Sequence, residues 1–163
     1  AYLGSVELMY ETLIRAMGRM RAHFRHDGYQ PHEMKRTTTA HYTAFNLQLW
    51  LNFTTVVRRT SRYEVLNHLD GYTMDGDVRQ RSNGIELGLN WLLPYYGQPW
   101  PFEQIDKFDD KRRAVLYHMA KDHNPRIAAK YEETMPAPEE LPHRFFPHDG
   151  IPALWKLACD GPA

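Results

Sequence analysis

Cysteine is nearly absent from this chain: Cys159 stands alone among 163 residues. One thiol cannot build a disulfide framework within the chain or a zinc cluster. It serves either as a small buried hydrophobe or as a tether to a segment or chain outside these residues. Net charge is also lacking, with 20 Lys/Arg against 20 Asp/Glu, so no global field draws the chain to nucleic acid. No stretch approaches the ~20 consecutive apolar residues of a membrane span. Neither strand-like alternation nor an internal repeat is visible. The chain opens inside a helical pattern, so no signal peptide is legible, and it reads as a mature, processed or fragmentary product.

Aromatic residues are in excess, at 13% with 4 Trp and 10 Tyr. Such an excess suits a large core or a sugar-binding cleft, and composition does not choose between them. The length suits a single domain, taken here as residues 1–163. The charges are unevenly spread. Residues 1–65 hold nine Lys/Arg against five Asp/Glu, and residues 66–163 hold eleven against fifteen. The first segment is therefore the better place for an acidic ligand.

Apolar periodicity predicts an all-helical fold. Val6, Met9, Tyr10, Leu13, Ile14, Met17 and Met20 recur at three- and four-residue steps, with Arg15, Arg19 and Arg21 mostly off that stripe. Asp27-Gly28 is a natural stop. After a polar connector with Pro31, a second helix is expected from about Thr38 to Arg59. It is apolar nearly all round and so is expected to be buried between layers. Asp70-Gly71 and Asp75-Gly76 read as turns. A third helix is expected over about Ser82 to Tyr96, with Ser82 or Asn83 as N-cap, and shorter ones at about 110–122, 125–133 and 151–159. Pro136, Pro138, Pro142 and Pro147 make residues 134–149 an extended surface strap. Helices separated by Pro-bearing loops suit antiparallel helical hairpins arranged as a bundle, solenoid or toroid.

The densest polar cluster lies between the first two helices. It runs from His26 through Asp27, Gly28, Tyr29, Gln30, Pro31, His32, Glu33, Met34 and Lys35 to Arg36, followed by His41 and Tyr42. An Arg grips a carboxylate at two points and neutralises it, which makes the adjacent C–H more acidic. A phenol beside a cation is a competent proton carrier. His41 is a candidate second base or a positioning ligand. Each residue also has a plain alternative: an ion-paired helix start for Arg36, core packing for Tyr42 and a structural hydrogen bond for His41.

The run from Asp27 to Thr37, continuing to His41-Tyr42 and Phe45-Asn46-Leu47, resembles the signature of the alginate lyase superfamily. A second block, Leu92-Leu93-Pro94-Tyr95-Tyr96 followed by Pro99-Trp100-Pro101-Phe102-Glu103-Gln104-Ile105, is similar to a later stretch of the same superfamily. The resemblance spans roughly residues 5–120. It implies part of an (α/α) toroid, a polyuronate substrate of alginate or glucuronan type, cleavage by β-elimination, and a secreted or periplasmic location. By position, Arg36 would neutralise the C6 carboxylate, Tyr42 would move the proton and His41 would line the subsite. His32, Glu33, Lys35, Trp100 and Gln104 would contact substrate. The superfamily's upstream Asn-Asn-His motif does not occur here. The chain is therefore expected to be the C-terminal half of a lyase toroid, with the remaining site supplied by a companion N-terminal chain or a second copy. Lys35 and the three consecutive Thr at 37–39 also depart from the expected pattern, and they bear on uronate preference.

Other motifs carry less. His32-Glu33-Met34-Lys35-Arg36 puts Arg where a zincin needs its second His. Asp70, Asp75 and Asp77 lack the alternation and terminal Glu of a calcium loop. Asn52-Phe53-Thr54 is a glycosylation triplet within a predicted helix, and Trp91 and Trp100 suit sugar stacking as well as packing. His23, His118, His123, His143 and His148 show no ligand spacing. Neither a metal nor a cofactor is expected. The competing function is a non-catalytic helical module that binds acidic polysaccharide through the same cleft.

Overall fold

The computed structural model describes residues 6–60, 84–122 and 124–141. Over these residues the chain is all-α. Its helices are α1 (Val6–His23), α2 (Thr39–Thr60), α3 (Gly84–Leu92), α4 (Lys111–Lys121) and α5 (Pro125–Tyr131), with short 3₁₀ turns at Glu33–Lys35, Leu93–Tyr95 and Pro138–Glu140. Of the Pro-rich strap, residues 134–141 fall within this range. The two Asp-Gly turns, the caps Ser82 and Asn83, the helix expected at 151–159 and Cys159 lie outside the described residues.

The ends of the helices follow from local chemistry. The side chain of Asn124 accepts the Ile127 amide at 3.2 Å, and Pro125 occupies the first turn of α5, where its missing N–H has no partner to lose. The start of α2 is capped from far along the chain. Thr39 donates both its amide and its hydroxyl to the Glu103 carbonyl, and the Ala40 amide donates to Gln104 Oε1 at 2.9 Å. Thr38 and Gln104 form an antiparallel bridge. These bonds satisfy amides that a helix start otherwise leaves open, and they fix the residues that follow, His41 and Tyr42.

The core forms where α2, α3, α4 and α5 meet, with Leu47, Leu89, Leu92, Leu116 and Ile127 almost fully enclosed. The all-round burial expected of α2 belongs instead to α4, in which every residue from Arg113 to Ala120 is buried. On α2, Leu49 remains 49% exposed. The stripe of α1 divides as well. Leu13 and Met20 face inward, while Tyr10 and Ile14 are 52% and 68% exposed. Apolar periodicity marks which residues are able to bury, and the neighbours that arrive decide how many do.

Gly28 lets the polar connector sit on α3, and Gly88 lets Phe24 and Leu47 approach the same helix. Gly28 has φ of 84°, and a Cβ there would stand 2.1 Å from the Leu87 carbonyl oxygen and 2.9 Å from Trp91 Cβ. At Gly88 a Cβ would meet Phe24 at 2.6 Å and Leu47 at 2.9 Å.

The segment from Tyr95 to Phe108 closes the far side with aromatic rings. Trp100 meets Trp91, Tyr95 and Phe102 at centroid distances of 5.0–5.8 Å. Beneath it the buried Arg113 places its guanidinium 4.9 Å from the Trp100 ring and 4.7 Å from the Phe108 ring. Arg113 also pairs with Asp110 and donates to the Tyr95 carbonyl. Burial lowers its pKa to about 10, which leaves it a cation at neutral pH. Its Nε and Nη2 find no acceptor among the described residues, and the ring faces take an acceptor's place.

Candidate active site

Helix α2 begins at Thr39, so Arg36 precedes it in an extended conformation. From there the side chain folds back, and its guanidinium carbon lies 4.2 Å from the centre of the Tyr42 ring. The hydrogen bond and charge interaction with Tyr42 raise the Arg36 pKa, holding the cation on that ring. Arg36 is exposed and Tyr42 is half-buried. An exposed guanidinium placed this way is able to receive an anion from solvent.

His41 points elsewhere. Its ring meets Phe108 edge-on at 5.2 Å. Burial, and then the nearby Arg112 charge, lower its pKa, opposed by Asp106. The imidazole is therefore neutral at pH 7 and suited to accept a proton or a hydrogen bond. Because His41 and Tyr42 are consecutive helical residues, they face directions about 100° apart, as 3.6 residues per turn requires.

The other residues marked from the sequence separate into two groups. His32, Glu33 and Lys35 lie in the connector and its 3₁₀ turn, beside Arg36. Glu33 acts electrostatically on both Arg36 and His23. Trp100 and Gln104 are committed to the fold. The Trp100 indole donates to Thr39 Oγ1 at 2.8 Å, and the Gln104 amide bridges Ala40 and the Asp106 carbonyl. Both residues hold the start of α2.

A second polar cluster escaped the sequence reading. The Gln30 amide donates to the Thr43 carbonyl at 3.2 Å, Asn46 donates to Gln30 Oε1 at 2.8 Å, and Asn46 Oδ1 lies 3.0 Å from His23 Nδ1. Burial lowers the His23 pKa despite the hydrogen bond to Asn46, so this ring too is neutral at pH 7. Asn46 lies one turn beyond Tyr42 on α2, ~6 Å along the axis. His23 ends a four-step series on α1, Arg15-Arg19-His23, and Tyr42-Asn46-Trp50 is a four-step series on α2. Reading these two series as facing stripes is the sequence signal that finds the cluster. Between them runs a groove of about 400 Å³ lined in part by Arg15, Arg19, His23, Asn46, Leu49 and Phe53.

The glycosylation triplet is not presented as the modification needs, because Asn52 is helical and half-buried and the Thr54 hydroxyl is buried against the Leu51 carbonyl. Among the described residues no three His, Cys, Asp or Glu side chains gather as metal ligands, and no helix is long and apolar enough to cross a membrane.

Comparison with known families places the chain. Residues 1–102 match the family model described as alginate lyase. The chain belongs to the alginate lyase family. The matched region contains α1, the connector with Arg36, the whole of α2 with His41 and Tyr42, and α3. No curated protein and no solved structure matches the chain significantly.

Proposed function

We propose that this member of the alginate lyase family carries the Arg/Tyr part of a polyuronate lyase active site. The observation that carries the reading is the exposed Arg36 guanidinium held on the face of Tyr42, in a chain of that family. The substrate is a uronic-acid polymer of alginate or glucuronan type. Arg36 grips the C6 carboxylate and withdraws charge from C5. Tyr42 removes the C5 proton, the electron pair forms the C4–C5 double bond, and the C4–O glycosidic bond breaks. The departing oxygen takes up a proton, and the new non-reducing end is an unsaturated uronate. A guanidinium close to the phenol favours the negative charge that gathers on this centre during proton transfer.

His41, neutral and half-buried, lines the subsite as an acceptor. His32, Glu33 and Lys35 contact neighbouring parts of the polymer from the connector. Trp100 and Gln104 support the site indirectly by holding the start of α2.

The wider architecture we infer is an (α/α) toroid completed by a companion N-terminal chain or a second copy. Its support is the face of α1 on which Tyr10 and Ile14, one turn apart, are each more than half exposed. Apolar residues grouped on one helix face suit a partner surface. A secreted or periplasmic location accords with an extracellular polymer as substrate.

The test is incubation with alginate and with glucuronan while following the absorbance of the unsaturated product. Its appearance supports a lyase. Retention of polymer without product, in a preparation that contains the companion, would establish the non-catalytic binding module instead.

A further inference from the structure

We propose that the groove between α1 and α2 is a second subsite, which holds one carboxylate-bearing sugar unit of the chain engaged at Arg36 and Tyr42. The proposal rests on the polyuronate reading above and adds a site and residues to it.

The lining matches such a unit from three sides. On the α1 side, Arg15 and Arg19 are one turn apart and exposed. Arg15 meets Glu11 only at 3.5 Å, with both side chains more than half exposed. Water screens a pair of that kind strongly, so Arg15 can turn to a ligand carboxylate. The charge of Arg19 extends as far as His23. On the α2 side, Leu49 and Phe53 present apolar surface, against which the C–H face of a sugar ring packs. A purely apolar occupant would leave the arginines without a function, and a bare inorganic anion would leave Leu49 and Phe53 without one. At the end nearest Tyr42 the groove is closed by His23 and Asn46.

His23 is built to meet a hydroxyl. The Thr43 carbonyl can only accept, so it fixes the direction of the chain of hydrogen bonds. Gln30 donates to Thr43, Asn46 donates to Gln30, and Asn46 Oδ1 is left facing His23 Nδ1 at 3.0 Å. That arrangement asks for a proton on Nδ1. The Trp50 indole N–H also points at Nδ1, from 3.1 Å, and asks for a lone pair there. Each imidazole tautomer forfeits one of two hydrogen bonds of comparable worth, so both remain accessible. Nδ1 is thereby occupied, and among the described residues Nε2 is the nitrogen left for a ligand, as acceptor in one tautomer and donor in the other. A sugar hydroxyl, itself donor and acceptor, is served by either.

Calorimetric titration of the full chain with saturated oligouronates from alginate and from glucuronan tests the subsite. A Tyr42→Phe background prevents turnover during the titration. Adding Arg15→Ala and Arg19→Ala to that background should weaken binding at least tenfold and flatten its dependence on salt. Arg126→Ala, which removes an equally exposed charge on α5, should change affinity less than twofold. Arg19→Lys alone should retain most of the affinity, because the point charge survives. An Arg15/Arg19 double variant that binds within twofold of its parent overturns the subsite, as does a parent that binds no oligouronate. Failure of the lyase reading appears separately, as oligouronate binding that depends on these arginines while the wild-type chain, supplied with its companion, yields no unsaturated product.

Discussion

Helix α2 carries two stripes of the same spacing, two residues out of step. Ala40, Ala44, Leu47 and Leu51 are all at least 93% buried. Tyr42, Asn46, Leu49 and Phe53 follow the same rhythm of four, three and four residues, yet Leu49 is half exposed and the other three border the groove or the Arg36 contact. The first stripe is wholly aliphatic. It is closed by α3, where Gly88 lets Leu47 and Phe24 come within contact of the backbone. The second mixes an aromatic alcohol, an amide and apolar residues, and it is left open toward α1. A helix that is apolar all round thus divides into a face that stores stability and a face that has room for a ligand. Substitutions on the two should separate activity from folding.

The largest expected effect lies on the open face. Tyr42→Phe removes one hydroxyl from a half-buried ring, and with it the hydrogen bond to Arg36, while the ring face beneath the guanidinium stays. Proton transfer by a positioned group contributes roughly 10²–10⁴ in rate, and turnover should fall by that much with little change in melting temperature. Arg36→Ala should lower turnover and substrate affinity together, because it removes a partner of both substrate and transition state. His41→Ala should be intermediate. The measurement is the initial rate of product absorbance in a preparation that includes the companion. A Tyr42→Phe rate above about a tenth of wild type, below the lower bound of that range, would reduce Tyr42 to a packing residue.

The closed side should respond in the opposite sense. Trp100→Ala removes a ring that meets three other aromatics and covers the Arg113 guanidinium. Buried Trp→Ala costs ~3–5 kcal/mol in well-packed cores, and a half-buried site should lose roughly 2–3 kcal/mol. Urea unfolding measures the loss directly. The Thr39 hydroxyl also loses its indole donor, so turnover should fall moderately through displacement of the α2 start. An unchanged unfolding midpoint would mean that the ring cluster does not secure the 95–108 segment.

Gly28 joins the two regions, and its replacement should cost somewhat less. Alanine would be held at a φ of 84° with its Cβ against the Leu87 carbonyl and Trp91. Left-handed backbone in a non-glycine residue costs on the order of 1–3 kcal/mol, and the clash moves the connector away from α3. Gly28→Ala should therefore lower stability by about that amount and reduce turnover as well, since Arg36 follows in the same connector. A variant that is destabilised yet fully active would show that the connector positions nothing catalytic.

Much of this was legible in the residues themselves. The limits of α2, α4 and α5 and the proximity of Arg36 to Tyr42 follow from local periodicity, turn chemistry and residue type, whereas α1 ends at His23, before the expected stop at Asp27-Gly28, and His41 turns away to Phe108. The roles of Trp100 and Gln104 were not legible, because capping of α2 by residues 64 positions away is a tertiary event that no local pattern encodes. His23 was set aside for want of ligand spacing along the chain, and its partner Asn46 sits on a different helix. The unequal burial of α1 and α2 was also out of reach. Which side of an apolar helix meets a neighbour depends on the path of the intervening chain, and apolar spacing alone contains no such path.

The smallest effect, and the finest division between the two regions, is in the response to acid. His23 on the open side, His41 at the start of α2 against Phe108, and His118 in the core all have lowered pKa values, with burial the leading cause in each. For such groups the unfolded chain binds protons more readily than the folded one. Their stabilisation is complete above the unfolded value near 6.5 and is lost as pH falls from there through the lowered folded value. His118 is only 3% exposed and is tied through Nε2 to the Pro136 carbonyl, so its ring has little freedom to reach water once charged. His41 is half-buried, so its ring keeps more contact with water. Replacing His118 by Gln preserves a donor to Pro136 and removes the titration. It should therefore flatten the decline in unfolding free energy between pH 7.5 and 5 more than His41→Gln does, the expected difference being a fraction of the ~1.4 kcal/mol that one pKa unit represents. Urea titrations of both variants across that range give the two slopes. A steeper residual slope in His118→Gln than in His41→Gln would place the acid sensitivity of the fold at the start of α2, where protonation would then disturb the residue next to Tyr42 before it affected the core.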